Sequence, residues 1–159
     1  SKEGSKTVSD TNMTEKLNGL LADATVLYYK LHHYHWNLRG PSFFTLHEKF
    51  EELYNEWGEQ VDVLAERVLQ IGGRPLPSLA SALQKTALHE ESELPDADEM
   101  VKRTLADLQK ARARMQEVIT AAQEHEDRTT ENTLDDFIDR SAKNIWMLAA
   151  YLGKSVNEI

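Results

Sequence analysis

Apolar residues recur every three or four positions along most of the chain, which is the spacing of amphipathic α-helices. The first such stretch begins near Thr14 and stops before Gly40-Pro41. Its stripe is made of Leu17, Leu20, Leu21, Ala24, Leu27, Tyr28, Leu31, His35 and Leu38. A second helix is predicted from Phe44 or Thr45 up to Gly72-Gly73, with a stripe made of Leu46, Phe50, Leu53, Trp57, Val61, Leu64, Val68 and Ile71.

Two further long helices are predicted in the second half of the chain. The third runs from about Ala97 to His125, and its stripe is made of Val101, Leu105, Leu108, Met115, Val118 and Ala122. The fourth runs from about Thr130 to Leu152, before Gly153, with Leu134, Phe137, Ile138, Ile145, Leu148 and Leu152. Between the second and third helices lie a connector, RPLPS, a short amphipathic helix, SLASALQK, and an acidic loop, HEESELPDAD.

Four long helices with one short helix between the second and third predict an all-α protein, a four-helix bundle. The long middle connection favours the ferritin-like arrangement, in which one crossover joins two helical hairpins. We expect the bundle domain to span residues 13–159, preceded by a flexible tail at 1–12.

The composition limits the kind of site that the chain can hold. The chain has 159 residues and no cysteine, which excludes a disulfide scaffold and thiolate metal sites and leaves His, Asp and Glu as the strong metal ligands. No apolar run approaches the roughly 20 residues that span a bilayer. The amino end, SKEGSKTVSDTN, has no apolar centre, so we expect no secretory signal and a cytoplasmic protein.

The charge argues against strong DNA binding. The formal net charge is −9, and an acidic protein does not attract nucleic acid through its overall field. The tail carries Lys2 and Lys6, but Glu3 and Asp10 dilute them. We therefore expect weak DNA binding at most and no membrane partner.

The run HHYHW at residues 32–36 raises the question of metal binding. At about 100° per residue, His35 falls in the middle of the apolar stripe, His32 at its edge and His33 on the far side, where we expect it to be solvated. A lone histidine on an apolar face is more often a hydrogen-bonded core residue than a ligand, so both interpretations of His35 stay open at this point.

The second helix offers four further candidate ligands on one side. His47, Glu51, Asp62 and Glu66 lie within an arc of roughly 100°, well to one side of the apolar stripe. A solvated polar face would explain Glu51 alone. Asp62 and Glu66 stand one helical turn apart, where like charges are mildly destabilising unless a cation lies between them.

Distance separates these candidates into two pairs. His35 and His47 flank the Gly40-Pro41 turn and can meet, whereas His47 and Asp62 are roughly 22 Å apart along a straight helix at 1.5 Å per residue. One chain therefore cannot bring both pairs to one ion. If all four bind one metal, two chains pair antiparallel, and two-fold symmetry gives two such sites per dimer.

Two imidazoles with two carboxylates suit Fe(II), Mn(II) or Zn(II) better than Cu(I) or Ca(II). The usual di-iron signature of bundle proteins, Glu-x-x-His on two helices, is absent from the sequence. The donor set therefore differs from that of an ordinary ferritin site.

Several segments resemble the Dps family, the miniferritins named for the DNA-binding protein from starved cells. They read HWNLRGPSFFTLHEKFEELY at 35–54, DVLAER at 62–67, IGGRP at 71–75 and NIWMLAAYLGK at 144–154. The resemblance covers residues 14–154, nearly the whole chain.

This resemblance implies a ferritin-like bundle that assembles into a dodecameric shell, oxidises Fe(II), preferably with hydrogen peroxide, and stores the ferric product. It implies that His35 and His47 of one chain and Asp62 and Glu66 of another bind the iron. Glu51 would be a second-metal or neighbouring ligand, and Trp36 would take up stray oxidising equivalents. The family's acidic three-fold pores suggest four candidate residues: Glu126, Asp127, Glu131 and Asp135. The alternative interpretation is capping, because acidic residues near a helix start interact favourably with its dipole.

Two interpretations of function remain alongside a plain bundle without a site. The first is a peroxide-dependent ferroxidase and iron store. The second is a structural or DNA-compacting shell whose site holds zinc for assembly. The full ligand set and Trp36 favour the first, and the acidic charge disfavours DNA compaction.

Overall fold

The computed structural model describes the backbone of residues 8–159 and the side chains of residues 12–159. Its helices are α1 (Val8–Asn37), α2 (Phe43–Gln70), α3 (Leu79–Lys85), α4 (Ala97–Glu124) and α5 (Arg128–Tyr151), followed by a short 3-10 turn at Val156–Glu158. The four long helices and the short one between them are those predicted from the sequence. No helix within residues 8–159 is both long enough and apolar enough to cross a membrane.

The start of α1 differs from the prediction. The helix begins at Val8 rather than near Thr14, so residues 8–12 of the predicted tail are helical. Among the side chains that the structure describes, Met13 is the first buried apolar one, and a helix can extend beyond its packed segment once it is nucleated. Residues 1–7 lie outside the described residues, and the flexibility predicted for the tail stays a prediction.

The long helices form two hairpins, α1 with α2 and α4 with α5, joined by the connection that contains α3. Helix α1 packs against α2, α3 and α4. The apolar stripes converge in one core, where Trp57 of α2 meets Phe137 of α5 edge-on at 4.7 Å between ring centroids. His35 is buried in this core as its place in the stripe predicts, whereas Tyr28 is 39% exposed.

Charged groups are buried between α1 and α4. Lys30 donates to Asp107 at 2.6 Å, and each side chain is only 9% exposed. Asp23 lies 3.1 Å from Arg114 and also accepts hydrogen bonds from the Thr86 hydroxyl and from the backbone N–H that follows it. Because an unpaired buried charge is costly, these contacts fix the register of α1 against α4 and tie the crossover to α1.

Three helices end in the same backbone motif. At the ends of α2, α4 and α5, two N–H groups beyond the helix donate back to its last turn in the Schellman pattern. The residue in the left-handed region is Gly72 after α2 (φ 82°) and Gly153 after α5 (φ 73°), but it is Glu126 after α4 (φ 54°). The sequence signals at Gly72 and Gly153 are confirmed, and Glu126 occupies a position where glycine is preferred.

Replacing Glu126 by glycine should stabilise the protein. We expect Glu126→Gly to raise the free energy of unfolding by up to about 1 kcal/mol, because a Cβ in the left-handed region costs more than the added chain entropy of glycine. The measurement is urea unfolding followed by circular dichroism at a fixed protein concentration.

The matched control for this change is Glu117→Gly, which is exposed in the middle of α4. There glycine should destabilise by about 1 kcal/mol. A lower unfolding midpoint for Glu126→Gly would contradict this prediction. It would show that the strain of a side chain in the left-handed region is smaller than the conformational entropy that glycine adds to the unfolded chain.

Candidate metal centre

The turn between α1 and α2 brings the two candidate histidines together. Only residues 38–42 separate the helices. Gly40 has a φ of 106°, a backbone conformation that residues with a side chain rarely adopt. Its carbonyl accepts a hydrogen bond from the N–H of Phe43. The last turn of α1, with His35, therefore faces the first turn of α2, with His47.

The two imidazoles stack on each other. Their ring centroids lie 3.7 Å apart and the planes differ by 12°. Nδ1 of His35 is 2.7 Å from the carbonyl oxygen of His47, and Nδ1 of His47 is 2.8 Å from the carbonyl oxygen of His35. Sequence spacing predicted that these residues meet, and the structure brings them into direct contact.

These hydrogen bonds determine the tautomer of each ring. A carbonyl oxygen can only accept, so each Nδ1 carries the proton and donates it. In the neutral imidazole, Nε2 then keeps its lone pair, which is the form that binds metals. Neither Nε2 has a hydrogen-bond partner among the described residues, so both lone pairs are available to a metal.

The neighbouring histidines differ in how their ring nitrogens are used. Nδ1 of His32 donates to the carbonyl of Tyr28 at 2.8 Å, so in the neutral ring its Nε2 carries the lone pair. His33, predicted to be solvated, is instead half-buried. Its Nε2 donates to the carbonyl of Glu93 at 2.7 Å, and its Nδ1 lies 3.3 Å from the amide of Asn37. With both nitrogens engaged, His33 is not available as a ligand.

The acidic candidates lie elsewhere on α2. Asp62 and Glu66 are exposed and, within residues 12–159, make no ion pair or hydrogen bond. Helix α2 is continuous over 28 residues, so His47 and Asp62 are roughly 22 Å apart along it. Accordingly, no group of three or more His, Asp or Glu side chains able to hold a metal occurs among the described residues of one chain.

Glu51 and Tyr54 connect the imidazole pair to an aromatic cluster. Glu51 is exposed and accepts the Tyr54 hydroxyl at 3.3 Å. Desolvation, then the charge of Glu51, raises the pKa of Tyr54 above its ordinary value, so the phenol stays protonated at neutral pH. The Tyr54 ring stacks on His32 at 3.7 Å and meets His35 edge-on at 5.2 Å between centroids.

Trp36 follows His35 directly but points away from the imidazole pair. Its indole is 57% exposed and contacts Tyr29 at 6.0 Å and His32 at 5.4 Å between ring centroids. Within one chain, Tyr54 rather than Trp36 is therefore the oxidisable side chain in contact with His35.

The pore candidates at the start of α5 have unequal surroundings. Asp127 caps α5 by accepting the N–H of Thr130, and it pairs with Arg67 of α2 at 2.9 Å. Burial alone would raise the pKa of Asp127, but hydrogen bonds from Thr130 and the charge of Arg67 lower it below its ordinary value. Glu131 accepts from Gln123, while Glu126 and Asp135 are exposed. Asp127 therefore fits the capping interpretation.

Sequence reasoning missed two features near the site. Tyr54 lies in the motif that carries the family resemblance, and its aromatic character was the available signal. Glu91, in the predicted acidic loop, binds the buried Tyr34 hydroxyl at 2.8 Å and Arg103 at 2.7 Å. Burial raises the pKa of Glu91, but hydrogen bonds from Arg103 and Tyr34 outweigh it, and the net pKa is lowered. No spacing in the sequence predicts hydrogen bonds between residues so far apart in the chain.

Comparison with known proteins identifies the family of the chain. Residues 14–156 match the profile of the Ferritin family, described as a ferritin-like domain. The chain is 43% identical to a DNA protection during starvation protein of Brevibacillus brevis over 136 residues, which are 86% of this chain and 91% of the relative.

Solved structures show the same fold. A Dps protein from Bacillus brevis superposes with a TM-score of 0.90 at 41% identity, covering 92% of this chain and 99% of that one. A Dps protein from Vibrio cholerae, described as a member of a broad superfamily of ferritin-like diiron-carboxylate proteins, has a TM-score of 0.90 at 29% identity, covering 96% and 99%. The predicted ferritin-like bundle is confirmed, and the chain belongs to the Dps family.

Proposed function

We propose that the protein oxidises Fe(II), preferably with hydrogen peroxide, at sites shared between two chains, and stores the ferric product inside a dodecameric shell. The observation that carries this proposal is the stacked pair of His35 and His47, with both Nδ1 atoms donated to backbone carbonyls and both Nε2 atoms free. Removing iron and peroxide together would protect a cell against hydroxyl-radical chemistry.

In this proposal, each chain contributes half of each iron site. The imidazoles of one chain bind Fe(II), and Asp62 and Glu66 of a second chain complete the site. The exposed, unpaired state of these carboxylates supports their availability to a neighbouring chain. Oxygen ligands favour the harder ferric ion, so the carboxylates draw the metal towards the oxidised state.

Two further residues have supporting roles in the proposal. Glu51, on the same side of α2, would bind a second iron more weakly. Trp36 would take up oxidising equivalents that leave the site, and its 57% exposure suits it to oxidants in solution.

Iron oxidation should depend on Asp62. We expect metal-free protein, loaded with Fe(II) without oxygen and then given peroxide, to develop ferric absorbance in the near ultraviolet while iron stays soluble. Asp62→Ala should lose this fast oxidation because the site loses an anionic oxygen ligand.

The matched control is Glu117→Ala, which removes an exposed carboxylate from α4 and should oxidise iron like the parent. Oxidation in the parent no faster than in buffer would contradict the ferroxidase proposal. A zinc titration on the same samples then tests the structural interpretation, because two imidazoles and two carboxylates also suit Zn(II).

Sharing of the site between chains predicts complementation. His47→Ala and Asp62→Ala chains should each be inactive alone. In a mixed dimer one site carries both defects and the other carries none. Unfolding the two variants together and refolding them should restore about a quarter of the parental sites if chains pair at random across a two-fold axis, measured as ferric absorbance per chain.

The control mixture is His35→Ala with His47→Ala, in which every imidazole pair is damaged. This mixture should stay inactive, and equal recovery in both mixtures would argue against a shared site.

DNA binding is proposed to be weak. The relatives' names refer to DNA protection, so they give this expectation no support, and it rests on the net charge of −9. Lys2 and Lys6 lie outside the described residues. Plasmid mobility in agarose should be unchanged at roughly 0.15 M salt, where exposed charges are screened beyond about 8 Å. A shift that survives this salt would make DNA compaction a function of the chain.

A further inference from the structure

Tyr54 is the phenol in contact with the imidazole pair. Its ring is half-buried and lies between two histidines, edge-on to His35 and stacked on His32. Among residues 12–159, no other tyrosine ring contacts His35. Electrons pass readily between rings in van der Waals contact, so Tyr54 is placed to give up an electron to an oxidant generated at the imidazole pair.

The hydroxyl of Tyr54 has a proton acceptor in place. It donates to Oε1 of Glu51 at 3.3 Å. An oxidised phenol is a very strong acid, so a tyrosine loses an electron easily only where its proton can leave with it. The Glu51 carboxylate can accept the phenol proton as the electron leaves. It is available for this step as long as it is not bound to a second iron.

Peroxide accepts two electrons, whereas one Fe(II) supplies only one. A centre that has filled a single iron position therefore releases a second oxidising equivalent as hydroxyl radical. We propose that Tyr54 captures this equivalent and holds it as a phenoxyl radical until a second Fe(II) arrives. This inference rests on the proposed function and adds a residue to its chemistry.

The steps balance in atoms and charge. Fe(II) and hydrogen peroxide give Fe(III), hydroxide and hydroxyl radical. Hydroxyl radical takes one electron from Tyr54 and becomes hydroxide, while the phenol proton moves to the Glu51 carboxylate. A second Fe(II) then returns the electron and becomes Fe(III), and the proton returns from Glu51 to the phenolate oxygen. The sum is two Fe(II) oxidised by one peroxide, with two hydroxides formed.

Other aromatic residues are less well placed for this step. Trp36 is exposed and contacts His32 rather than His35. Tyr28 is 39% exposed and touches Tyr54 only edge-on at 6.3 Å between centroids. Tyr34 is buried and donates to Glu91.

The test is freeze-quench electron paramagnetic resonance on assembled protein that carries one Fe(II) per site when peroxide is added. Ferric absorbance is read on the same samples, so the radical is scored per iron oxidised. We expect a phenoxyl signal in the parent, its loss in Tyr54→Phe, and its consumption when a second portion of Fe(II) follows. Glu51→Gln, which keeps the phenol but removes the proton acceptor, should lower the signal per iron oxidised.

Controls separate this inference from a general effect of tyrosine or of the fold. Tyr29→Phe makes the same substitution at a 66% exposed ring and should retain the signal. A phenoxyl signal that persists in Tyr54→Phe, or that survives the second portion of Fe(II), overturns the role of Tyr54 while leaving the ferroxidase proposal intact. Absence of ferric absorbance in the parent overturns both.

Discussion

The straightness of α2 is the constraint on which the candidate site depends. The helix is continuous over 28 residues, so the histidine near its start and the carboxylates near its end cannot reach the same ion. In many metalloenzymes, the folding of one chain brings all the metal ligands together. Here the fold keeps them roughly 22 Å apart, so one ion can have all four as ligands only if a second chain supplies one of the two pairs. The requirement for two chains in the proposed site therefore follows from helical rise and does not depend on the family resemblance.

The turn between α1 and α2, in contrast, holds two imidazoles close together. Each ring donates its Nδ1 proton to the backbone of the other helix, so one set of hydrogen bonds closes the hairpin, satisfies the buried ring of His35 and fixes both tautomers. A backbone carbonyl beyond a metal-bound imidazole is a common orienting partner. Structural and metal-binding interpretations of His35, which the sequence left open, therefore do not compete, because they use different nitrogens of one ring.

Periodicity predicted the helices well because each long helix buries one regular stripe, and Gly72 and Gly153 marked two of the helix ends. It failed at the start of α1, where the helix begins at Val8 rather than near Thr14, and at Glu126, where a non-glycine residue takes a left-handed conformation. Spacing predicted the meeting of His35 and His47 because they flank a short turn. The sequence could not predict the stacking of Tyr54 on His32 or the tautomers of His35 and His47, since both depend on side-chain directions.

If two chains share the ligands as proposed, metal binding is linked to assembly. Asp62 and Glu66 repel each other at one-turn spacing, by about 0.2–0.5 kcal/mol in an isolated helix, and a bound cation would remove that repulsion while joining the two chains. Thermodynamic linkage is reciprocal, so whatever association contributes to metal affinity, the metal contributes equally to association. A chain with a formal charge of −9 gains further, because like-charged copies repel and a dication between them offsets part of that repulsion. On this argument, the metal is both the substrate of the proposed reaction and a contributor to the stability of the interface that binds it.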